Sequence, residues 1–68
     1  MNRAGLIGLG AMGAGIAATL RDRGYEMHVC DARPGAAVRF AEAGGVAWAT
    51  PAQVAHRCEV VISVVVNA

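Results

Sequence analysis

Three glycines near the N-terminus, at positions 8, 10 and 13, constrain this chain more than any other feature. They complete a G-x-G-x-x-G spacing directly after the uncharged residues 4–9. Where a strand turns into a helix, the first glycine allows the tight bend, the second lets the backbone approach a pyrophosphate, and the third lets helix and strand pack closely. The helix N-terminus then offers unpaired N–H groups and a favourable dipole to the anion. The spacing therefore predicts a dinucleotide-binding turn formed by Gly8, Gly10 and Gly13.

The residues on either side of the turn support this prediction. Residues 4–9 are apolar and uncharged, as expected for a strand that is covered on both faces of a parallel sheet. In the following helix, Met12, Ile16 and Leu20 recur every four residues and predict one buried stripe. Gly24 is suited to end that helix in the left-handed conformation.

Asp31 follows a second predicted strand, residues 27–30, and lies 18 residues after Gly13. A carboxylate at this point can accept hydrogen bonds from the adenosine ribose and would repel a 2′-phosphate, which favours NAD over NADP. Arg33 leaves NADP open, because its guanidinium could pair with a 2′-phosphate or cover the adenine. The alternative for Asp31 is a turn residue before Pro34.

The second predicted helix covers residues 34–43, with Pro34 suited to its first position. Two consecutive glycines, Gly44 and Gly45, are expected to end it. The apolar residues of this helix that are available for burial are Val38, Phe40 and Ala41.

The remaining residues repeat the alternation of strand and helix. Residues 46–49 predict a short strand, and Thr50 with Gln53 predicts a capping box at the start of a helix that ends near residue 57. Residues 60–66 are β-branched except for Ser63, which suits a strand buried on both faces. The chain is thus predicted to fold as β-α-β-α-β-α-β.

This order of elements predicts an α/β fold, a partial Rossmann fold with a parallel sheet of strand order 3-2-1-4. The glycine turn then opens at the point where the strand order reverses. A ligand is expected in the crevice between the first and fourth strands, so that Val66, Asn67 and Ala68 border it.

Charge and composition exclude several other functions. A net charge of +1 with six scattered arginines predicts no nucleic-acid partner, and there is no lysine to act as an acid or base. Residues 4–20 are uncharged after a basic start, which raises a signal peptide or membrane anchor as an alternative. Five glycines in that segment make a poor spanning helix. We therefore expect a soluble, cytoplasmic protein without a membrane partner.

Each of the two cysteines follows a histidine by two positions, which gives the pairs His28, Cys30 and His56, Cys58. Structural zinc sites usually have the closer C-x(2–4)-C spacing, and these pairs fall on separate elements. We expect no metal site, and no disulfide in a reducing compartment.

The sequence also resembles the N-terminus of the β-hydroxyacid dehydrogenases, a family that includes 3-hydroxyisobutyrate, threonate and 6-phosphogluconate dehydrogenases. The Gly-Leu-Gly-x-Met-Gly form of the turn is more specific than the general glycine spacing. The segments that carry the resemblance are GLIGLGAMG at residues 5–13, Ile16-Ala17, Leu20, Gly24-Tyr25, Thr50-Pro51 and the closing valine run. The ending at residues 65–68 is most similar to threonate dehydrogenase-type members.

This resemblance implies a cofactor site but no catalytic residue within the chain. The implied residues are Gly8, Leu9, Gly10, Ala11, Met12 and Gly13 at the diphosphate, Asp31 at the ribose, with Arg33 beside it, and Val66 and Asn67 at the cofactor edge. NADP-dependent relatives tend to have Asn-Arg where this chain has Asp31-Ala32, which again favours NAD. The family's catalytic lysine, substrate loop and helical domain correspond to positions beyond residue 68.

With 68 residues, the chain is shorter than a complete dinucleotide-binding fold. We expect residues 1–68 to be the N-terminal part of such a domain in an oxidoreductase that acts on a small 3-hydroxyacid or sugar acid, and that is a homo-oligomer at full length. The alternatives are a non-catalytic nucleotide-binding module, a small open reading frame that oligomerises to cover its apolar edge, and a relative that binds a partner or reduces imines.

Overall fold

The computed structural model describes residues 2–33 and 35–64. Within them, strands and helices alternate as predicted. They are β1 (Arg3–Ile7), α1 (Ala11–Asp22), β2 (Glu26–Cys30), α2 (Ala36–Ala41), β3 (Val46–Ala47), α3 (Pro51–Arg57) and β4 (Val60–Ser63). Pro34, Val66, Asn67 and Ala68 lie outside the described residues, so the structure does not test their predicted positions.

The strands form one parallel sheet in the order β3-β2-β1-β4, which confirms the predicted topology. In the register, Gly5 of β1 lies opposite His28 of β2 on one side and Val61 of β4 on the other. The glycine turn leaves the carboxyl end of β1, between the two strands that pair with it. It therefore opens at the point where the strand order reverses.

The hydrophobic core lies where α1 and α2 pack on β1, β2 and β3. Alternate strand residues point to this face, and Leu6, Met27 and Val29 are almost completely buried there. The buried residues of the core are Ala4, Leu6, Leu9, Ala17, Met27, Val29 and Ala37.

The predicted buried stripe on α1 is partly wrong. Met12 is 71% exposed, and the fully buried residues of the helix are Gly13 and Ala17. Ile16 and Leu20 are half-buried and pack at the margin of the core. Small residues face the sheet because α1 approaches β1 too closely for a larger side chain at Gly13.

The second helix is shorter than predicted and buries a different face. It starts after Gly35, which has a φ of 80°, and Ala37 rather than Val38 is buried. Val38 is 61% exposed. Successive helical residues are about 100° apart, so Val38, two positions before half-buried Phe40, lies on nearly the opposite face of the helix. Ala41 is half-buried. The predicted burial of Phe40 and Ala41 is thus confirmed in part, since both are half-buried, and the predicted burial of Val38 is wrong.

The last two strands are also shorter than predicted, and β4 is not buried on both faces. The strand covers Val60–Ser63 at the edge of the sheet, where Val60 is 56% and Val61 38% exposed. Within the described residues β4 pairs only with β1.

The opposite face of the sheet is covered by α3, which packs on β1, β2 and β4. The predicted capping box begins this helix: the Gln53 backbone N–H donates to the Thr50 hydroxyl, and the side-chain Oε1 of Gln53 accepts from the Thr50 backbone N–H. Val54 is completely buried. It lies so close to Gly5 of β1 that a Cβ at that glycine would collide with it. The glycine in β1 therefore sets how closely α3 can pack.

A polar chain of contacts lies beside α3. Trp48 Nε1 donates to Nδ1 of His28 at 2.8 Å, and Nε2 of His28 lies 2.9 Å from Glu26 Oε2. Since an indole nitrogen can only donate, Nδ1 of this buried histidine accepts and Nε2 carries the proton. The hydrogen bond from His28 lowers the pKa of Glu26. The Arg57 guanidinium lies 5.0 Å from the centre of the Trp48 ring, so the tryptophan next to β3 also packs against α3.

We predict opposite effects on stability for two glycine-to-alanine substitutions. Gly5→Ala should lower the free energy of unfolding by about 1–3 kcal/mol, because the added methyl group overpacks the contact with Val54. Gly15→Ala is the matched control: nothing lies within 4 Å of its Cβ position, so it should raise stability by up to about 1 kcal/mol through helix propensity. Urea unfolding of the native gene product measures both, and a Gly5→Ala variant as stable as Gly15→Ala would contradict the packing of α3.

Candidate functional site

The glycine turn is built by three backbone segments in close contact. Gly8 has a φ of 97°, which favours glycine, and a Cβ there would collide with the Val64 carbonyl oxygen. The Gly8 N–H donates to the Cys30 carbonyl oxygen at 2.9 Å. At Gly13, a Cβ would collide with the Gly8 carbonyl oxygen. The turn therefore joins the ends of β1, β2 and β4 to the first turn of α1.

The N-terminus of α1 is free of side-chain capping by the residues that the structure describes. Gly10 is the N-cap residue with extended backbone angles (φ −64°, ψ −176°), and no acidic residue lies in the first turn. The first helical hydrogen bond runs from the Ala14 N–H to the Gly10 carbonyl oxygen at 2.8 Å. The N–H groups of residues 11–13 precede it and lack a partner within the helix. Such groups, together with the helix dipole, favour an anion.

A crevice of about 840 Å³ opens beside this helix end, at the carboxyl edge of the sheet. Of the predicted site residues, Gly8, Gly10, Ala11, Asp31 and Arg33 line it. The crevice also has lining residues that sequence reasoning did not assign to the site, namely Ile7, Cys30, Ala32, Ala49, Pro51 and Val64. Their position at or shortly after the carboxyl ends of parallel strands was a usable signal, because those ends gather at one edge.

Three other predicted site residues have a different environment. Leu9 is 6% exposed and packs in the core, so only its backbone groups approach the crevice. Gly13 is buried below the turn. Met12 lines a separate surface hollow with Gly15 and Ile16. Val66 and Asn67 lie outside the described residues.

Asp31 lies at the end of β2 with its side chain only 7% exposed. Its Oδ2 accepts the Leu9 N–H, which fixes the glycine turn to the end of β2. Its Oδ1 accepts the Arg33 N–H at 2.7 Å, the hydrogen-bond pattern of a turn formed by an aspartate. The turn role that the sequence left as an alternative is therefore present in the structure.

The Arg33 side chain folds back onto Asp31 and Leu9. Its Nε donates to Asp31 Oδ1 at 3.1 Å and its Nη2 to Oδ2 at 3.2 Å, while Nη2 also donates to the Leu9 carbonyl oxygen at 2.7 Å. The hydrogen bond from Arg33 holds the pKa of Asp31 well below its usual range, with smaller contributions from the two backbone N–H groups. The carboxylate at the end of β2 is therefore ionised and acts only as an acceptor.

The two cysteines are not bonded to each other. Cys30 is buried beside the crevice, Cys58 is half-buried, and burial raises the pKa of both thiols. Within residues 2–33 and 35–64, no group of three or more histidine, cysteine or acidic side chains is arranged to hold a metal ion. In the same part of the chain, every helix is too short or too polar to span a membrane.

Comparisons with known proteins agree with the geometry of the crevice. Residues 3–68 match the sequence profile of a family described as the NAD binding domain of 6-phosphogluconate dehydrogenase. The chain is also similar to the L-threonate dehydrogenase of Cupriavidus necator, with 55% identity over 64 residues. These residues are 94% of this chain and 22% of that protein, so the chain spans about a fifth of the relative's length.

The lowered pKa of Asp31 predicts a specific loss of stability in acid. Because the folded-state pKa lies below the ordinary value of about 3.9, the ionised group contributes stability above that pH. The contribution is lost as the pH falls through the folded-state pKa. In urea unfolding between pH 6 and pH 2, the native gene product should therefore lose stability more steeply below about pH 4 than the Asp31→Asn variant. Parallel curves would show that Asp31 is not stabilised in its ionised form.

Proposed function

Because this chain belongs to the family of the NAD-binding domain of 6-phosphogluconate dehydrogenase, we propose that its crevice binds the adenosine diphosphate half of NAD. The glycine turn and the first turn of α1 bind the diphosphate, and Asp31 binds the adenosine ribose. The observation that carries this proposal is the N-terminus of α1, which has no side-chain cap and opens into the crevice. The glycine turn that leads into this helix is bonded to Asp31.

The residues of the turn fit a diphosphate. Other residues can also adopt the backbone angles of Gly10. What the glycine contributes at this position is the absence of a side chain between the main chain and the ligand. The N–H groups at positions 11–13 provide donors where the anion would lie. Ala11 has a small side chain on the crevice wall, and Met12 is exposed just outside it.

The charge of Asp31 supports NAD rather than NADP as the cofactor. An ionised carboxylate accepts hydrogen bonds from ribose hydroxyls and repels a 2′-phosphate. Arg33 lies in direct contact with this carboxylate and offsets part of its charge. NADP therefore remains the second cofactor to be measured. Val66 and Asn67 are proposed to border the cofactor.

We propose that the native protein is a dehydrogenase of small hydroxyacids, with residues 1–68 forming the N-terminal part of its dinucleotide-binding domain. Similarity to L-threonate dehydrogenase over 94% of the chain supports this substrate class. The nicotinamide would accept the hydride that leaves the carbon bearing the substrate hydroxyl. The residues of this chain bind and orient the cofactor. A cytoplasmic location and a homo-oligomeric state belong to the same proposal, and the free thiols support a reducing compartment.

The second candidate is a nucleotide-binding module without catalytic activity. It rests on the crevice, whose predicted lining residues provide binding groups for a nucleotide. The two candidates share the binding site and differ only in turnover.

Replacement of Gly10 tests the diphosphate site. Gly10→Val is compatible with the backbone angles at this position, yet it adds a side chain where the main chain meets the ligand. We expect the affinity for NAD to fall at least about tenfold, since a lost charge-assisted hydrogen bond alone costs about 1.5–3 kcal/mol. Calorimetric titration of the native gene product measures the change. The Gly15→Ala variant in the same helix should bind as the unmodified protein does, and unchanged affinity in Gly10→Val would contradict the proposed site.

An activity measurement on the native gene product tests substrate and cofactor together. We expect L-threonate or a similar small hydroxyacid to reduce NAD, and to reduce NADP more slowly because of the charge of Asp31. The intact mass of the product is measured alongside. Binding of NAD without turnover of any small hydroxyacid would favour the non-catalytic module, and faster reduction of NADP would contradict the proposed cofactor.

A further inference from the structure

The carboxylate of Asp31 has no acceptor position left for a ligand. An ionised carboxylate offers about four lone-pair positions on its two oxygens. In the structure these oxygens accept four hydrogen bonds, from the Leu9 N–H, the Arg33 N–H, and Nε and Nη2 of Arg33. A ribose with two neighbouring hydroxyls therefore needs two of these donors to leave.

The four donors differ in how easily they can leave. The N–H groups of Leu9 and Arg33 belong to the main chain of the glycine turn and of the segment after β2, so their loss would disrupt the local fold. The other two donors belong to one side chain. The guanidinium of Arg33 thus occupies the two acceptor positions that can be vacated without moving the backbone.

We propose that Arg33 is a displaceable latch: its guanidinium covers the ribose-binding positions of Asp31 and must swing away when the dinucleotide binds. This inference rests on the proposed function, and it adds a residue that sets affinity and cofactor preference. The latch competes with NAD for Asp31, and once displaced it provides a positive charge for the 2′-phosphate of NADP.

The surroundings of Arg33 allow this movement. Its side chain is 62% exposed, whereas that of Asp31 is 7% exposed, so the arginine can leave while the carboxylate stays in place. An ion pair whose guanidinium lies largely in solvent is weaker than a fully buried one. Arg33 also borders a second hollow of about 330 Å³, which Leu9, Ala36 and Phe40 line as well. The guanidinium therefore has room outside the crevice.

The latch predicts opposite effects on the two cofactors when the guanidinium is removed. Arg33→Met keeps most of the side-chain length but has no hydrogen-bond donor. NAD should bind about two- to fivefold more tightly, because its ribose no longer competes with this ion pair. NADP should bind more weakly by at least the same factor, because the 2′-phosphate then meets an uncompensated carboxylate.

Calorimetric titration of the native gene product with NAD and NADP tests these effects. Arg23→Met is the matched control, since it removes an exposed arginine at the end of α1 away from the crevice, which makes no hydrogen bond to Asp31 among the described contacts. It should weaken both cofactors slightly and equally. In an Asp31→Asn background, the gain in NAD affinity from Arg33→Met should disappear, because the carboxylate that the guanidinium covers is absent.

Two results would overturn the latch. If Arg33→Met weakens NAD and NADP alike, the guanidinium contacts the ligand directly. If it changes neither, the contact with Asp31 does not compete with the ribose.

A titration of the Asp31 carboxyl by NMR without nucleotide separates this proposal from the proposed function. Arg33→Met should raise the pKa of Asp31 towards its ordinary value, and an unchanged pKa would overturn the latch whatever the protein binds. If the pKa rises but the unmodified protein binds neither cofactor, the proposed function fails and the latch loses its role as a competitor. If the pKa rises and NAD binds more tightly, both proposals are supported.

Discussion

The close approach of three backbone segments at the carboxyl end of β1 determines the rest of the structure. Gly8 lies against the Val64 carbonyl group, and Gly13 lies against the carbonyl group of Gly8. Neither contact leaves space for a Cβ atom. Helix α1 can therefore start directly beside the sheet, with its N–H groups directed at the crevice. The lack of a Cβ at these two glycines thus allows the close packing and also leaves the helix N-terminus open to a ligand.

Asp31 connects this turn to the second strand and gives the site its charge. The Leu9 backbone is held on both sides, through its N–H by Asp31 and through its carbonyl oxygen by Arg33. A structural role and a binding role therefore fall on the same carboxylate. They are compatible, because the backbone contacts use only half of its acceptor positions.

Much of the fold was predictable from the sequence, because its local signals agree with one another. The glycine spacing, the Thr50 capping box and the alternation of apolar segments each specify one element, and together they predict the strand order. The burial of single residues was less predictable. Val38 and Met12 are apolar but exposed, because small residues such as Ala37 and Ala17 face the sheet where the helices approach closely. Hydrophobicity alone does not indicate which face of a short helix packs against the sheet.

The candidate site was predictable in its glycines and in Asp31, which follow a regular spacing. The sequence raised Arg33 only as a contact for the ligand. Its fold-back onto Asp31 depends on the turn after β2 and on the position of the Leu9 carbonyl oxygen, which are properties of the three-dimensional structure. Ala49 and Pro51 reach the crevice through the parallel arrangement of the strands and carry no chemical signature of their own.

The most direct test of the account is an NMR titration of the native gene product with ADP-ribose, which contains the adenosine diphosphate half of NAD without the nicotinamide. The account predicts that the largest amide shifts occur at residues 10–13 and at Asp31, with smaller changes along β4. Shifts centred on another surface, or no shifts at millimolar ligand, would contradict the assignment of the crevice as the dinucleotide site.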